Sequence, residues 1–479
     1  TVAEGLEQPY GIAFLPNGDL LITEKPDRLR WVRQGVLQAE PVTGVPEVYP
    51  STQGGLLDIV LHPRFADNGW LYLSLSEGDY QANATQVVRA RFSEGQLHDL
   101  KVIYTARPAK AKGVHFGARM TFLADETLLI TIGDGFDFRE DAQNLGSALG
   151  KIVRVTDEGE IPPDNPFVHN PNARPEIYSY GHRHPQGIVY DAKTHTVYAH
   201  EHGPMGGDEL NRISAGNNYG WPLANYGLDY SGAYVSPLTA HPGTEQPLVQ
   251  WTPSLAPSGL TQCRGCLWPE WEGDFFVGML AGKQVRHVHL LADGSSREQA
   301  LFTELTARVR DVKFGPDGAL YLLLQNAAGQ VLKVTPDKAT QPLELEHLQA
   351  SELKRIQTHR SWMMRALAGH FISIGGGSWY LDNTPLAIKS IEDTPLHVGA
   401  IVELANIMPK TFPQGSVKGS RASPLIWREP EKFQQELVKL QSAAERLASI
   451  SVADDLPAFE QAMLEVYSTC RSCHSAFRE

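Results

Sequence analysis

Near the end of the chain stand Cys470, Arg471, Ser472, Cys473 and His474. Thiols three residues apart share one helical face, and each can add to a haem vinyl group. A His directly after them is placed to ligate the iron. The spelling therefore reads as covalent c-type haem attachment through Cys470 and Cys473, with His474 on the metal. Without that His, the same pair would read as half a zinc site or a redox CxxC. A chain that carries its own haem moves electrons, so their source has to be sought elsewhere in it.

A second set of chemistry-bearing residues lies earlier and recurs where strands meet loops. It comprises Gln53, His115 with Arg119, Gly181 to Gly187, Glu201 to Pro204, Asp208-Glu209, Asn217 to Pro222, Lys283, and Arg308 with Arg310. Arg308 and Arg310 are two apart, so on an extended strand they point to one face. At about 7 Å two guanidiniums repel by roughly 2 kcal/mol at an effective dielectric of 20. With Arg183 and Lys283 on the same rim, such a funnel calls for a small polyanion. Pairing of an arginine with Asp311 or Glu304 is the competing account.

The elements that would position these residues repeat six times: a Gly-led or Asp-led apolar strand, a turn, then a second apolar strand. Gly11 to Phe14 turns at Pro16-Asn17-Gly18 into Leu20 to Thr23. The same sequence of events starts at Gly55, Gly117, Gly187, Gly259 and Asp311. These are antiparallel hairpins at an uneven spacing of about 45 to 75 residues, which predicts blades with variable loops. Six blades closing into a propeller leave a central channel with the starts of the inner strands around one rim. An open sandwich explains the period poorly.

Past Val334-Thr335-Pro336 the strand pattern stops. Leu353, Ile356, Arg360, Met364, Leu367 and Phe371 then fall at steps of three and four, as do Phe459, Met463, Val466, Cys470, Cys473 and Phe477. Stretches near 385–408 and 430–449 also read as amphipathic helices. The expected fold is an all-β six-bladed propeller over 1–337, a linker over 338–344, and an all-α four-helix-bundle cytochrome domain over 345–479.

Composition agrees with two globular domains: 479 residues, 42% hydrophobic and 20% charged. A net charge of −13 argues against nucleic acid or an anionic membrane as partner, and no run approaches the roughly 20 apolar residues of a membrane span. The chain starts at Thr1 without a charged-then-apolar leader, so any signal peptide is expected to have been removed or left out of the sequence. Cys263 and Cys266 read as a local disulfide bracing a loop. A thioredoxin-like βαβ setting is absent, and a zinc site shared with Cys470 and Cys473 would conflict with the haem. Disulfide and covalent haem both suit a periplasmic or secreted protein.

Residues 1–337 resemble the soluble quinoprotein glucose dehydrogenases, and more closely their bacterial relatives, the aldose sugar dehydrogenases. The motifs that carry the resemblance run from Gln53-Gly54-Gly55-Leu56-Leu57 and His115-x-Gly117-x-Arg119 to Gly181-His182-Arg183-x-Pro185-Gln186-Gly187. They continue with Gly203-Pro204 to Glu209, Asn218-Tyr219-Gly220-Trp221-Pro222 and Arg308-x-Arg310-Asp311. The resemblance implies pyrroloquinoline quinone (PQQ), a planar tricarboxylate, over the channel mouth with calcium at its quinone edge. Gln53, Arg183, Ser254, Lys283, Arg308, Arg310 and Tyr230 would grip it. The carbonyls of Gly203 and Pro204 would bind that calcium, and Glu209 with the Tyr219 carbonyl a second, structural one. His115 would be the base that takes the anomeric hydroxyl proton of a sugar, and Arg183 would stabilise the growing quinone oxyanion.

Two departures stand out: Val114 where glucose-specific relatives carry an acid, and His184 where they carry Asn. Residues 345–479 resemble the cytochrome c-prime family through Arg360-Ser361-Trp362-Met363-Met364, Ser423-Pro424-x-Ile426-Trp427 and the terminal CxxCH. Low-spin members of that family imply a first-helix Met as the second iron ligand, here Met364, with Met363 as its neighbouring alternative. The expected function is a quinohaemoprotein sugar dehydrogenase that passes electrons from PQQ through haem c to an external acceptor, another cytochrome. A calcium-dependent propeller lactonase would instead bring carboxylates and Asn together in the channel. A binding propeller with a gas-sensing cytochrome would keep a five-coordinate iron.

Overall fold

The structure is a computed structural model that describes residues 1–291, 293–336, 363–364, 366–367, 370, 394–408, 412, 426 and 429–477. The chain divides into two compact units, one of Thr1–Gly227 with Leu238–Gln341 and the other of Leu228–Pro237 with Pro342–Glu479. The expected linker over 338–344 lies outside the described residues.

The first unit is a six-bladed propeller of six four-stranded antiparallel sheets. Each hairpin read from the sequence supplies the first two strands of one blade, with inner strands Pro9–Phe14, Leu56–Leu61, Gly117–Phe122, Pro185–Asp191, Pro257–Gln262 and Arg308–Phe314. Turn chemistry sets the hairpins: at the first, the Asn17 side chain accepts from Asp19 N at 3.1 Å while Gly18 takes φ +87°. The second strands are covered on both faces, so Leu20–Glu24 and Leu128–Ile132 are buried throughout. The N-terminal strand Ala3–Leu6 pairs with Gly329–Val334 as the outer strand of the sixth blade, closing the ring against the propeller's last strand. Closure of this kind removes a free sheet edge.

All six inner strands break register near their start. The shifts fall between Pro9 and Ile12, Leu56 and Ile59, Gly117 and Met120, Pro185 and Gly187, Ser258 and Leu260, and Val309 and Asp311. A bulge re-aims a side chain, and here the residues at or beside the bulges meet on the axis. Arg119, 3% exposed, donates to Asp58 Oδ1 at 3.1 Å and to the Arg310 carbonyl at 3.0 Å. It also lies 3.4 Å from Asp311 Oδ2 and covers the Tyr10 ring. Gly11 and Gly259 leave room for the two carboxylates, because a Cβ there would meet Asp58 Oδ1 at 2.9 Å and Asp311 Oδ1 at 2.5 Å. Asp311 is thus engaged by Arg119 and not by Arg308 or Arg310 among the ion pairs described.

In the second unit, helices Thr394–Ile407, Pro430–Ala448 and Leu456–Phe477 are described. The second begins with Pro430 in its first turn and buries Phe433, Leu437, Leu440, Ala444 and Leu447, a three-and-four spacing. They pack on Ile401, Leu404, Phe459, Met463 and Val466, together with Met363 and Leu367. Cytochrome-type helical packing is present; of the expected first helix only Met363, Met364, Ala366, Leu367 and His370 are described. Leu353, Ile356, Arg360, Ser361, Trp362, Phe371, Ser423, Pro424 and Trp427 lie outside the described residues. No described helix is long and apolar enough to cross a membrane.

Candidate active site

At the start of the inner strands lies a cavity of about 410 Å³, within the ~300–1,000 Å³ typical of small-molecule sites. Lys25, Gln53, His184, His202, Arg308 and Arg310 line it, and among the described residues no Asp or Glu does. Arg310 has only neutral hydrogen-bond partners: it donates to Gln325 Oε1 at 2.8 and 3.2 Å and to Ser258 Oγ at 3.3 Å. Burial, then Arg119 and Arg308, lower its pKa to about 10. Burial lowers Arg308 as well. Lys25 Nζ donates to the Thr52 carbonyl at 2.8 Å, and its pKa falls to about 8 through burial and then the nearby Arg310.

Beside the cavity, His115 is 5% exposed and its Nδ1 lies 2.7 Å from Asp134 Oδ1. A carboxylate can only accept, so Nδ1 carries the proton and Nε2 is left as the basic nitrogen. Asp134 also accepts from Trp221 Nε1 and Phe136 N, both at 2.8 Å. Burial lowers the His115 pKa below the usual 6.5, and Asp134 opposes that shift. The His115 backbone sits at φ +52°, a left-handed conformation that a non-Gly residue adopts at a cost and that its surroundings must hold in place. Gly133 makes that placement possible, since a Cβ there would meet the His115 carbonyl oxygen at 2.1 Å. Gln53 Oε1 accepts from His115 N at 2.8 Å, tying the base to the cavity wall.

Three imidazoles follow one another. His115 stacks on His184 with centroids 4.4 Å apart and planes 11° apart, and His184 meets His202 edge-on at 5.3 Å. Burial holds both His184 and His202 well below the ordinary histidine range, and they are neutral at pH 7. Arg183 Nη1 donates to the carbonyls of His202 at 3.1 Å and Gly203 at 2.9 Å, and its guanidinium lies over Trp221.

The loop from Gly203 to Gly207 is crowded with carbonyl oxygens. A Cβ on Gly203 would meet Gly206 O at 2.1 Å and Gly207 O at 2.4 Å. Asp208 staples this loop by accepting from Gly203 N, Leu255 N, Ala256 N and Ser254 Oγ. Burial pushes its pKa up to about 6 despite those bonds. Glu209 stands opposite Glu201 across the strands, and burial followed by Glu201 pushes it up to about 8. Tyr219 stacks on His182, whose Nδ1 lies 3.0 Å from Glu201 Oε1.

Of the residues named from sequence, Gln53, Arg308 and Arg310 line the cavity. His115 and Arg183 adjoin it through His184 and His202. Ser254 lies behind Asp208, Lys283 adopts φ +51° after strand Phe275–Met279, and Tyr230 sits 56% exposed on the Leu228–Pro237 segment of the second unit. None of these three is among the lining residues. Lys25 and Asp134 were not singled out in the sequence, and His202 and Asp208 were named there only within longer runs and without a role of their own. Asp134 hides in Gly133-Asp134-Gly135, which reads as turn chemistry, and Lys25 simply follows a strand.

In the helical unit, Cys470 and Cys473 lie on one face of Leu456–Phe477 against the core, and Met364 is half-buried against the same core. Burial pushes the two thiols up to about 12 and about 11. His474 is on the exposed side of that helix. Cys263 and Cys266 are joined in a disulfide, next to Arg264, whose Nη2 pairs with Asp191 at 2.5 Å. Among the described residues no three His, Cys, Asp or Glu side chains converge on one metal position.

The family description Glucose / Sorbosone dehydrogenase matches residues 6–333, and Cytochrome C' matches residues 391–478. The chain is 48% identical over 351 residues to an uncharacterized Synechocystis protein, covering 70% of this chain and 85% of that one. It is 40% identical over 337 residues to aldose sugar dehydrogenase YliI of Escherichia coli, covering 69% and 91%. The structure of the PQQ-bound form of aldose sugar dehydrogenase from Streptomyces coelicolor is similar at 32% identity and a TM-score of 0.57, covering 67% of this chain and 90% of that one.

Proposed function

The chain belongs to the glucose/sorbosone dehydrogenase family through its propeller and carries a C-terminal cytochrome C' domain, and from that premise we propose that it oxidises aldose sugars at the anomeric carbon to lactones. PQQ occupies the cationic cavity. The observation that carries this reading is a cavity lined by Lys25, Arg308 and Arg310 with no carboxylate among the described residues of its wall. It suits a compact tricarboxylate. The channel's own acids, Asp58 and Asp311, are engaged by Arg119, unlike the open acidic pocket that a calcium-dependent lactonase would need.

PQQ, when bound, supplies a quinone that accepts hydride, and calcium beside it supplies Lewis acidity. Gln53, Arg183, Ser254, Lys283, Arg308, Arg310 and Tyr230 are the residues for PQQ. The carbonyls of Gly203 and Pro204 are the residues for its calcium, hard oxygen donors of the kind such an ion takes. The Gly203 carbonyl also accepts from Arg183, which leaves it one lone pair for a metal. Glu209 and the Tyr219 carbonyl are the residues for a second calcium, and the raised Glu209 beside Glu201 suits a site that a cation neutralises.

His115 Nε2 removes the proton of the anomeric hydroxyl. Asp134 holds the opposite nitrogen protonated and stabilises the imidazolium as it forms. Stacking on neutral His184 fixes the ring's plane and keeps water from its face. Arg183 presents its guanidinium to negative charge developing on the acceptor. In the second domain Cys470 and Cys473 would carry haem c, and His474 and Met364 are the residues that would ligate its iron. Haem c, when attached, supplies a one-electron carrier to an external acceptor, another cytochrome. The disulfide, with haem attached covalently as proposed, suits an oxidising compartment, the periplasm or the outside of the cell.

The test is to mix holoprotein reconstituted with PQQ and calcium with a panel of aldoses and record the haem absorption. Bleaching to the ferrous form only when sugar, PQQ and calcium are all present is the expected result. Reduction without PQQ, or none with any aldose, refutes the proposal.

A further inference from the structure

Lys25 follows strand Leu20–Glu24 of the first blade and faces the cavity across from the arginines of the sixth. Its main chain is clamped on both sides: Lys25 N donates to Gln8 O at 3.2 Å and Lys25 O accepts from Leu56 N at 3.0 Å. The clamp depends on Gly55 at φ +132°, where a Cβ would meet Lys25 O at 2.2 Å. The side chain is 7% exposed, and its ammonium gives one proton to the Thr52 carbonyl. Two donors remain, with no partner among the described residues. The charged groups near it are cationic. Arg310 and Arg308 line the same cavity, His184 and His202 are neutral, and Tyr10 is the other titratable group facing the cavity among the described residues. Its neighbour Glu24 is engaged elsewhere, by Arg28 at 2.7 Å.

A desolvated ammonium held rigidly beside another cation opposes folding unless an anion joins it. We propose that Lys25 is a direct anchor for one carboxylate of the bound cofactor, completing with Arg308 and Arg310 a three-cation seat. This rests on the PQQ reading above. The resemblance to known dehydrogenases assigns no role to this lysine, and its place in the sequence gives no sign of one. Its lowered pKa supports the geometry, because an ammonium that regains an anionic partner takes its proton back on binding.

The full-length apoprotein, with calcium present, is titrated with PQQ by tryptophan fluorescence and by calorimetry at pH 8 in two buffers of different ionisation enthalpy. Wild type should take up about half a proton per PQQ, since Lys25 is close to half-charged there. Lys25→Met should lose affinity by about tenfold to a hundredfold, as expected for a hydrogen bond to a charged acceptor, and should take up no proton. Lys25→Arg, which keeps the charge, should stay within about fivefold of wild type while also losing the proton uptake. Because proton uptake separates a charge role from a packing one, a poorly folded methionine variant leaves the arginine variant to decide. PQQ binding by Lys25→Met within twofold of wild type, or proton uptake that survives in Lys25→Arg, overturns the inference alone. A wild-type protein that takes no PQQ overturns the cofactor reading and this inference together.

Discussion

Replacing Asp134 by Asn probes the base directly. The carboxylate contacts His115 Nδ1 at 2.7 Å and is buried, so its charge acts on the imidazolium with little screening. Opposite unit charges about 4 Å apart attract by about 4 kcal/mol at an effective dielectric of 20. An amide oxygen turned to Nδ1 would keep about 1 kcal/mol of that as an ordinary hydrogen bond. The net loss of about 3 kcal/mol falls on the state in which His115 has taken the sugar proton, so kcat should drop by about two orders of magnitude. The sign with pH follows from the same balance. His115 already titrates below the usual 6.5 because burial disfavours its cation. The acid limb of kcat/KM in wild type should therefore lie below pH ~6.5. In Asp134→Asn it should move lower still, because the anion that favours the charged ring is gone. PQQ affinity should hold, since Asp134 does not line the cavity. Stopped-flow turnover across pH 4 to 9 reads both effects. A loss of less than fivefold, or an acid limb that moves upward, would refute the assignment of His115 as base and Asp134 as its partner.

Gly133→Ala should leave the fold intact but displace His115, whose carbonyl oxygen the new methyl would meet at 2.1 Å. A shift of about 1 Å in a catalytic group costs roughly a hundredfold in rate, so turnover should fall far more than thermal stability. Arg119→Met should leave Asp58 and Asp311 buried without their cation and cost about 3–5 kcal/mol in denaturant unfolding. That cost should be smaller at pH 5 than at pH 8, because burial already pushes the Asp311 acid upward and its protonation removes the stranded charge.

The hairpins were legible because both of their signals are local: apolar strands covered on two faces, and Pro, Asp, Asn and Gly at the turns between them. The closing strand Ala3–Leu6 was not, since its four residues are buried only at the two ends and its partner lies more than 300 residues away. Arg308 and Arg310 were placed on one wall by counting two along an extended strand. The cavity does hold both, but across a bulge between Val309 and Asp311 that no count along the sequence reveals. Asp134 escaped notice because Gly-Asp-Gly spells a turn, and its role appears only when a left-handed His115 comes within reach 19 positions away. His184, given no role in the sequence beyond its departure from Asn, proves to be the ring that stacks on His115. The last helices were readable from their three-and-four spacing, with Pro430 marking where one of them begins.

The buried Arg119 knot occupies the propeller axis below the cavity, with Asp58, Asp311 and the Tyr10 ring packed around it. A bore filled there by packed, ion-paired side chains is closed to solutes at that level, so whatever lodges in the cavity cannot leave by way of the knot.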